Sequence, residues 1–301
     1  MKLTIGSIYI GVEPYDLVRL GNEEGYRYEF GLSEMLDLPS GRLAPHLDLV
    51  TEIVIGFSGV TDLDFLAYFP EVVKVRVMDS TVKNIDGLQH LKKLKSLAID
   101  RPMCRMHVLG KLQALERIFL DDWRPGADTI FQVQTISNAR IRRMKEMNLS
   151  RMSGWTLLRE MWLHAGTLTD LTGLPSSIEV FELTGIRGLT SLSPLRSAAK
   201  LHKLIIEGCK NLHSLEGLQA CTQLQVLGIA KAQYIESLKP LINLEKLEYV
   251  FLADNTIVQN DVDILYGLPS LRKLIISGKS GLDADRFRQA LPDCDLIVAK
   301  K

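Results

Sequence analysis

The sequence lacks a surplus of charge of either sign. Its 301 residues include 36 Lys and Arg against 36 Asp and Glu. Proteins that bind nucleic acids or anionic membranes usually carry clustered positive charge, so this balance gives no reason to expect either partner. The sequence also lacks an unbroken apolar run of the roughly 18 residues that a membrane-spanning helix needs. At 46% hydrophobic and 24% charged residues, the composition is that of an ordinary globular chain.

The sequence predicts neither paired cysteines nor a cleavable leader. The four cysteines form no CxxC pair and lie far apart, which is not typical of a disulfide framework. Residues 3–12 are mostly apolar, but Gly6, Ser7 and Gly11 interrupt them and no small-residue cleavage site follows. Their alternation instead predicts a strand or a hairpin. We therefore expect a cytoplasmic protein.

Sequence motifs typical of enzymes are missing too. The patterns GxxxxGK[ST], GxGxxG and GxSxG do not occur at a strand-to-helix junction. His202, Cys209 and His213 are the closest approach to a set of metal ligands, but the repeat described below puts them on three different faces of the chain. The sequence predicts no enzyme, no metal site and no cofactor.

Leucine is what the sequence has in excess, with 49 residues, about one in six. Three apolar residues at positions 0, +3 and +5 recur eleven times, at intervals of 20 to 24 residues. The first residues of these units are Val50, Val72, Leu94, Leu115, Ile136, Leu158, Ile178, Leu201, Leu224, Leu247 and Leu271. So narrow a spacing predicts a stack of similar units that bury their apolar rows against one another.

Between these patterns, further apolar residues follow at steps of three, as in Leu168, Leu171 and Leu174. A period of three is typical of a 3₁₀ helix. About a dozen residues separate one predicted strand from the next, which is too few for a long helix and two turns. Each unit is therefore predicted to be a short strand, a turn and a compact return segment.

The sequence resembles the leucine-rich repeat family, in its class of about 22 residues per repeat, over residues 47–299. The resemblance is clearest at residues 201–209 and 247–255, where the family's Asn or Cys at position +8 is matched by Cys209 and Asn255. It implies an α/β solenoid: a right-handed superhelix with a parallel concave sheet of about eleven strands and short 3₁₀ or helical convex segments. Residues 1–46 are expected to form an N-terminal cap, 47–281 the solenoid, and 282–301 a C-terminal cap of one helix and one strand.

One stretch departs from the pattern. Residues 121–135 lack the leucines at steps of three, so either the return segment is a loop there or the next unit has a different register. Starting the fifth unit at Met144 would give intervals of 29 and 14 residues. We therefore place its start at Ile136.

The side chains expected to bind a partner lie between the buried positions of each strand, where alternation turns them onto the concave face. Arginine and aromatic residues concentrate there on the fourth to sixth units, and these residue types dominate protein–protein hot spots. Arg140 and Trp162 are also placed for a cation–π contact. The alternative is that Phe119 and Trp162 simply cover their neighbours. The predicted partner-binding residues are Arg76, Arg117, Phe119, Arg140, Arg142, Trp162, His164 and Phe251.

A second, more apolar strip is predicted towards the C-terminal end, from Ile205, Tyr249, Phe251 and Ile275. It is either another contact surface or ground that the C-terminal cap covers.

The sequence therefore predicts a non-catalytic module that binds a protein through its concave face. The resemblance allows a regulatory subunit, an effector, or an inhibitor of the antitoxin kind. The alternative is a sensor of a ligand or nucleic acid, which would use a local basic strip interrupted by Glu160 and Glu182. The residues of this basic strip are Lys74, Arg76, Arg117, Arg140, Arg142 and Lys203.

Overall fold

The computed structural model describes residues 7–12, 28–30, 47–48, 50–56, 60–101, 103–257, 261–277 and 281–299. The chain divides into two compact units, Met1–Ile141 and Arg142–Lys301. No helix within the described ranges combines the length and the apolar character that crossing a membrane requires.

The first unit is a sheet joined by short 3₁₀ helices. Its strands are β1 (Ser7–Val12), β2 (Tyr28–Phe30), β3 (Val50–Gly56), β4 (Lys74–Val77), β5 (Ser96–Ile99), β6 (Arg117–Leu120) and β7 (Asn138–Met144), the last of which runs past the unit boundary. The 3₁₀ helices are Asp64–Tyr68, Asp86–His90, His107–Lys111 and Ala127–Gln132. The strand order is β2-β1-β3-β4-β5-β6-β7, with β3 to β7 parallel and β1 antiparallel to both of its neighbours.

The second unit repeats this construction. Its parallel strands, adjacent in chain order, are β8 (Glu160–Gly166), β9 (Val180–Thr184), β10 (Lys203–Glu207), β11 (Val226–Ile235), β12 (Tyr249–Ile257), β13 (Lys273–Ser277) and β14 (Asp295–Ala299). The 3₁₀ helices are Ser150–Met152, Ser193–Ser197, Leu218–Ala220, Lys239–Leu241 and Val262–Gly267. One α-helix, α1 (Ala284–Ala290), precedes β14, and the Asp283 carboxylate accepts the Asp285 and Arg286 backbone N–H groups at its start.

The register of the strands confirms the predicted repeat. Equivalent apolar positions pair across neighbouring strands, so that Leu97 lies beside Ile118 and Leu204 beside Leu227. These residues are buried, because period-two alternation directs one side of each strand into the core. The eleven predicted units correspond to β3 to β13, and β14 adds one more parallel strand.

The return segments also follow the prediction. The leucines at steps of three are buried, including Leu168, Leu171 and Leu174. Most return segments contain a 3₁₀ helix of three to six residues. A tight helix with three residues per turn presents every third side chain to the same face, which explains this spacing.

The irregular stretch at residues 121–135 holds a return segment, since Ala127–Gln132 is a 3₁₀ helix there. Ala127, Ile130 and Val133 supply the buried residues at steps of three. On the next strand Ala139 pairs with Ile118, which confirms that the fifth unit starts at Ile136.

A turn that the sequence pattern did not predict recurs after the strands. Seven residues after the first apolar residue, the backbone of seven repeats has a positive φ. The residues are Arg101, Arg143, Ala165, Gly185, Gly208, Lys231 and Asp254, with φ from 49° to 66°. Glycine alone adopts this left-handed conformation without steric cost, and it occupies only two of the seven places.

Candidate protein-binding surface

The outer face of each sheet, defined as the face opposite the leucine core, carries the candidate residues. In the first unit the middle positions of neighbouring strands pair in the order Arg76, Ala98, Phe119, Arg140. Adjacent strands are about 4.8 Å apart, so these four positions lie side by side across the sheet. The predicted outward alternation is therefore present from β4 to β7.

Phe119 and Arg140 lie side by side in this row. Phe119 is half-buried, whereas Arg140 and its neighbour Arg117 are exposed. An aromatic side chain with arginines at nearby positions of the sheet offers apolar area together with directional donors. Arg76 forms an ion pair, in which its Nη2 lies 3.1 Å from Oδ2 of Asp100, the residue directly after β5.

The second unit carries the remaining residues of the predicted patch. Trp162 is half-buried and pairs in register with Glu182, while His164 is exposed beside Thr184. Arg142 is half-buried at the start of this unit. The predicted contact between Arg140 and Trp162 joins residues of different units and stays a prediction.

The apolar strip of the second unit is longer than the sequence indicated. Ile205, Gly228, Phe251 and Ile275 pair in that order across four strands, and Ile297 of β14 continues the row. Phe251 is 39% exposed and Ile297 is 40% exposed. The C-terminal strand therefore extends the strip along the sheet instead of covering it.

Ion pairs neutralise much of the basic strip that the alternative function requires. Lys74 Nζ lies 2.8 Å from Glu52 Oε1, and Lys203 Nζ lies 2.6 Å from Glu182 Oε1. Together with the Arg76–Asp100 pair, these contacts place carboxylates beside three of the six predicted basic residues. Local carboxylates oppose binding to a phosphate backbone, because that binding depends on uncompensated positive charge.

Among the described residues, the side chains capable of catalysis or metal binding lie apart from one another. Within the described ranges, no group of three His, Cys, Asp or Glu side chains is placed to hold a metal ion. Burial raises the pKa of Cys209 and of Cys221 to about 11, so both thiols are protonated at neutral pH. His213 stacks on Tyr234 with ring centroids 5.8 Å apart, and its Nδ1 lies 2.8 Å from the Asn211 carbonyl oxygen.

No family model matches the chain, and no curated protein matches its sequence. Several solved structures are similar to it in fold. The functional domain of InlJ from Listeria monocytogenes has a TM-score of 0.57 and 16% identity, covering 76% of this chain and 49% of that chain. A chain of the Toll–Spatzle complex from Drosophila has a TM-score of 0.61 and 14% identity, covering 78% of this chain and 34% of that chain.

A third similar structure is the internalin inlF, also from Listeria monocytogenes. It has 16% identity and a TM-score of 0.48, and the match covers 93% of this chain and 92% of that chain. By contrast, the chain spans about half of the matched InlJ chain and about a third of the chain in the Toll–Spatzle complex. Identities this low describe a shared backbone architecture.

Proposed function

We propose that this chain, which has the leucine-rich repeat fold, is a non-catalytic module that binds a protein through the outer face of its sheet. The observation that carries the proposal is the row formed by Phe119 and Arg140, with Arg117 on the neighbouring position. The leucine core fills the opposite face of the sheet, so a partner can contact these side chains only from the outer face.

The physical character of the surface favours a protein over a nucleic acid. Arginine and aromatic side chains bury large areas on binding and lose little conformational freedom for each contact. The lysines of the basic strip already have carboxylate partners, which weakens their attraction to the phosphates of a nucleic acid. Among the similar structures, one is a chain of the Toll–Spatzle complex. A protein partner fits both the surface and this architecture.

A preformed sheet also explains how such a module gains affinity. The strands are fixed in register by the buried core, so the outer face does not have to order itself on binding. The entropy cost then falls mainly on the partner and on the side chains at the interface. Trp162 and His164 form a second candidate contact surface on the outer face of the second unit, and Phe251 provides a further apolar contact there.

The experiment compares Arg140→Glu and Trp162→Ala with the unchanged chain in affinity capture from the native lysate, with partners identified by mass spectrometry. We expect each variant to lower the recovery of the main protein partner by about tenfold or more, the loss typical of a hot spot. Arg196→Glu and Leu157→Ala are the matched controls, since both residues are exposed and lie off the outer face. Full recovery with both test variants, each shown to be folded, would contradict this placement.

Affinity capture at a series of salt concentrations distinguishes the proposed function from binding to a nucleic acid. Capture that weakens steeply with salt and is lost after nuclease treatment would identify a nucleic acid as the ligand. Capture of a protein that survives nuclease treatment would support the proposal. Arg117→Glu is the variant to compare in both the salt series and the nuclease treatment, because Arg117 is an exposed residue of the basic strip.

We further propose that the protein works in the cytoplasm. Cys104, Cys209, Cys221 and Cys294 are buried free thiols in the structure. Buried reduced cysteines suit a reducing compartment, where disulfides are rare. Fluorescence microscopy of the tagged chain in its source cell, alongside cell fractionation, tests this location.

A further inference from the structure

The outward side chains of β5 in the first unit are short. Ser96 and Ala98 lie on the outer face, because they alternate with the buried core residues Leu97 and Ile99. The side chains of serine and alanine rise little above the backbone of a sheet. The strand β5 is therefore a low strip on the outer face.

Longer side chains stand on the strands at both sides of β5. The strands β4 and β6 lie about 4.8 Å from it, one on each side. The residues that pair in register with Ser96 and Ala98 are Lys74 and Arg76 on β4, and Arg117 and Phe119 on β6. A shallow groove therefore runs along β5 with Ser96 and Ala98 as its floor, and we call it the β5 groove.

An ion pair occupies one end of the β5 groove. Arg76 donates from Nε and Nη2 to Oδ2 of Asp100, over 3.2 Å and 3.1 Å. Asp100 directly follows β5, so this contact joins β4 to the end of the groove beyond Ala98. The positive charge of Arg76 is thereby compensated at this end.

The other end of the β5 groove has a positive charge without a partner. Lys74 is engaged with β3, since its Nζ lies 2.8 Å from Glu52 Oε1. Glu116, the chain neighbour of Arg117, lies 3.0 Å from Lys95 Nζ. Arg117 is exposed, and its guanidinium forms no hydrogen bond or ion pair with any residue that the structure describes. The groove is therefore positive at this end.

We propose that the β5 groove binds an extended segment of a partner protein in which an Asp or Glu lies two residues from an apolar residue. The carboxylate lies above Ser96 and pairs with Arg117, whose uncompensated charge selects it. The apolar side chain lies above Ala98 against the ring of Phe119, where contact removes apolar surface from water. This inference rests on the proposed function, since it names the kind of segment that the outer face of the first unit recognises.

The geometry of the β5 groove explains both the extended shape and the spacing. Its walls on β4 and β6 are two strand spacings apart, about 9.6 Å, which is narrower than a helix with its side chains at about 10–12 Å. Residues two apart in any extended chain are separated by about 6.6 Å and face the same side. A segment that lies along β5 therefore presents residues i and i+2 to Ser96 and Ala98 together.

Selection from a library of short random peptides displayed on phage, with the whole chain as bait, tests this proposal. We expect enriched peptides to carry Asp or Glu two positions from an aromatic or aliphatic residue. With Arg117→Glu as bait, Lys or Arg is expected to replace that acidic residue, because the charge it faces is reversed. Arg105→Glu is the matched control and keeps the acidic preference, since Arg105 is exposed in the return segment before the helix His107–Lys111.

A synthetic copy of the most enriched peptide provides the quantitative test, by isothermal titration calorimetry. Changing its acidic residue to Lys is expected to weaken binding to the unchanged chain by at least about tenfold, and to strengthen binding to Arg117→Glu by a similar factor. Ala98→Leu fills the groove beside Phe119 and is expected to weaken binding by about tenfold. Ala67→Leu, at an exposed alanine of the helix Asp64–Tyr68, leaves the affinity unchanged. Circular dichroism shows whether each variant is folded.

Two outcomes would overturn this inference: enriched peptides without the acidic residue and its apolar neighbour, or an acidic preference that Arg117→Glu leaves intact. The proposed function is tested separately, because the capture experiment with Arg140→Glu and Trp162→Ala follows the native partner. Loss of capture in those variants, without an acidic preference among the peptides, would keep the protein-binding function and reject the β5 groove. An acidic preference that Arg117→Glu reverses would support the β5 groove even if those two variants captured the partner fully.

Discussion

A β-carbon on Gly87 would lie 1.9 Å from the backbone carbonyl oxygen of Leu63. Leu63 immediately precedes the 3₁₀ helix Asp64–Tyr68, and Gly87 lies in Asp86–His90 of the next repeat. The two return segments therefore approach backbone to backbone, and only a residue without a side chain fits at the contact. This close approach sets how tightly these two repeats stack.

Gly87→Ala is expected to destabilise the protein by about 1–3 kcal/mol, the usual cost of overpacking a close-packed interior. The neighbouring atom belongs to the backbone, so the clash cannot be relieved by rotating a side chain. The measurement is the denaturant midpoint, followed by circular dichroism.

Gly267→Ala is the control for this prediction. Gly267 also lies in a 3₁₀ helix, Val262–Gly267, but a β-carbon there meets no atom within 4 Å. We expect a change within about 0.5 kcal/mol, as for an ordinary surface substitution. Equal effects of the two substitutions would show that helix propensity, and not the contact with Leu63, determines the cost.

Two substitutions at the left-handed turn after the strands are expected to change the stability of the protein in opposite directions. Ala165 has φ of 53° and Gly185 has φ of 66° at equivalent positions of neighbouring repeats. Ala165→Gly is expected to stabilise the chain by up to about 1 kcal/mol, and Gly185→Ala to destabilise it by about 1 kcal/mol. A β-carbon at Gly185 meets nothing within 4 Å, so its effect reports backbone conformation alone. Thermal unfolding of both variants measures the difference, and shifts of the same sign would contradict the explanation.

The buried thiols predict a loss of stability at high pH. Burial raises the pKa of Cys209 and of Cys221 from the ordinary value of 9.0 to about 11 in the folded protein. Above pH 9 the unfolded chain loses these protons first, so it binds fewer protons than the folded chain and the free energy of unfolding decreases. The stabilisation is complete below pH 9 and is lost as the pH rises towards 11. Denaturant titrations across this range, with Cys209→Ala and Cys221→Ala as comparisons, should show a flatter decline in the variants.

The strand positions could be predicted from the sequence because each one depends on a local pattern. Apolar residues at 0, +3 and +5 identified the strands from β3 to β13, including the fifth unit at Ile136. The same pattern located the outward positions of Arg76 and Phe119. Period-two alternation fixes side-chain direction whenever one face of a strand must be buried.

The partners of the outward side chains could not be predicted in the same way. Arg76 pairs with Asp100, which lies 24 residues further along the chain. The pair joins a residue of β4 to the residue directly after β5, and period-two alternation within a single strand does not reveal such a contact. A search for opposite charges at positions +4 and +6 of successive repeats would have found this contact.

By itself the sequence determined the repeat, because leucines at a fixed spacing can be buried together only if successive units stack. Tertiary structure alone decided which residues adopt the left-handed conformation. Five of the seven are not glycine, so their residue types did not identify this turn in the sequence. It also decided that Val298 remains half exposed where Ile276 is buried. The side chains of both follow the same alternation, and burial depends on whether another strand lies beside them.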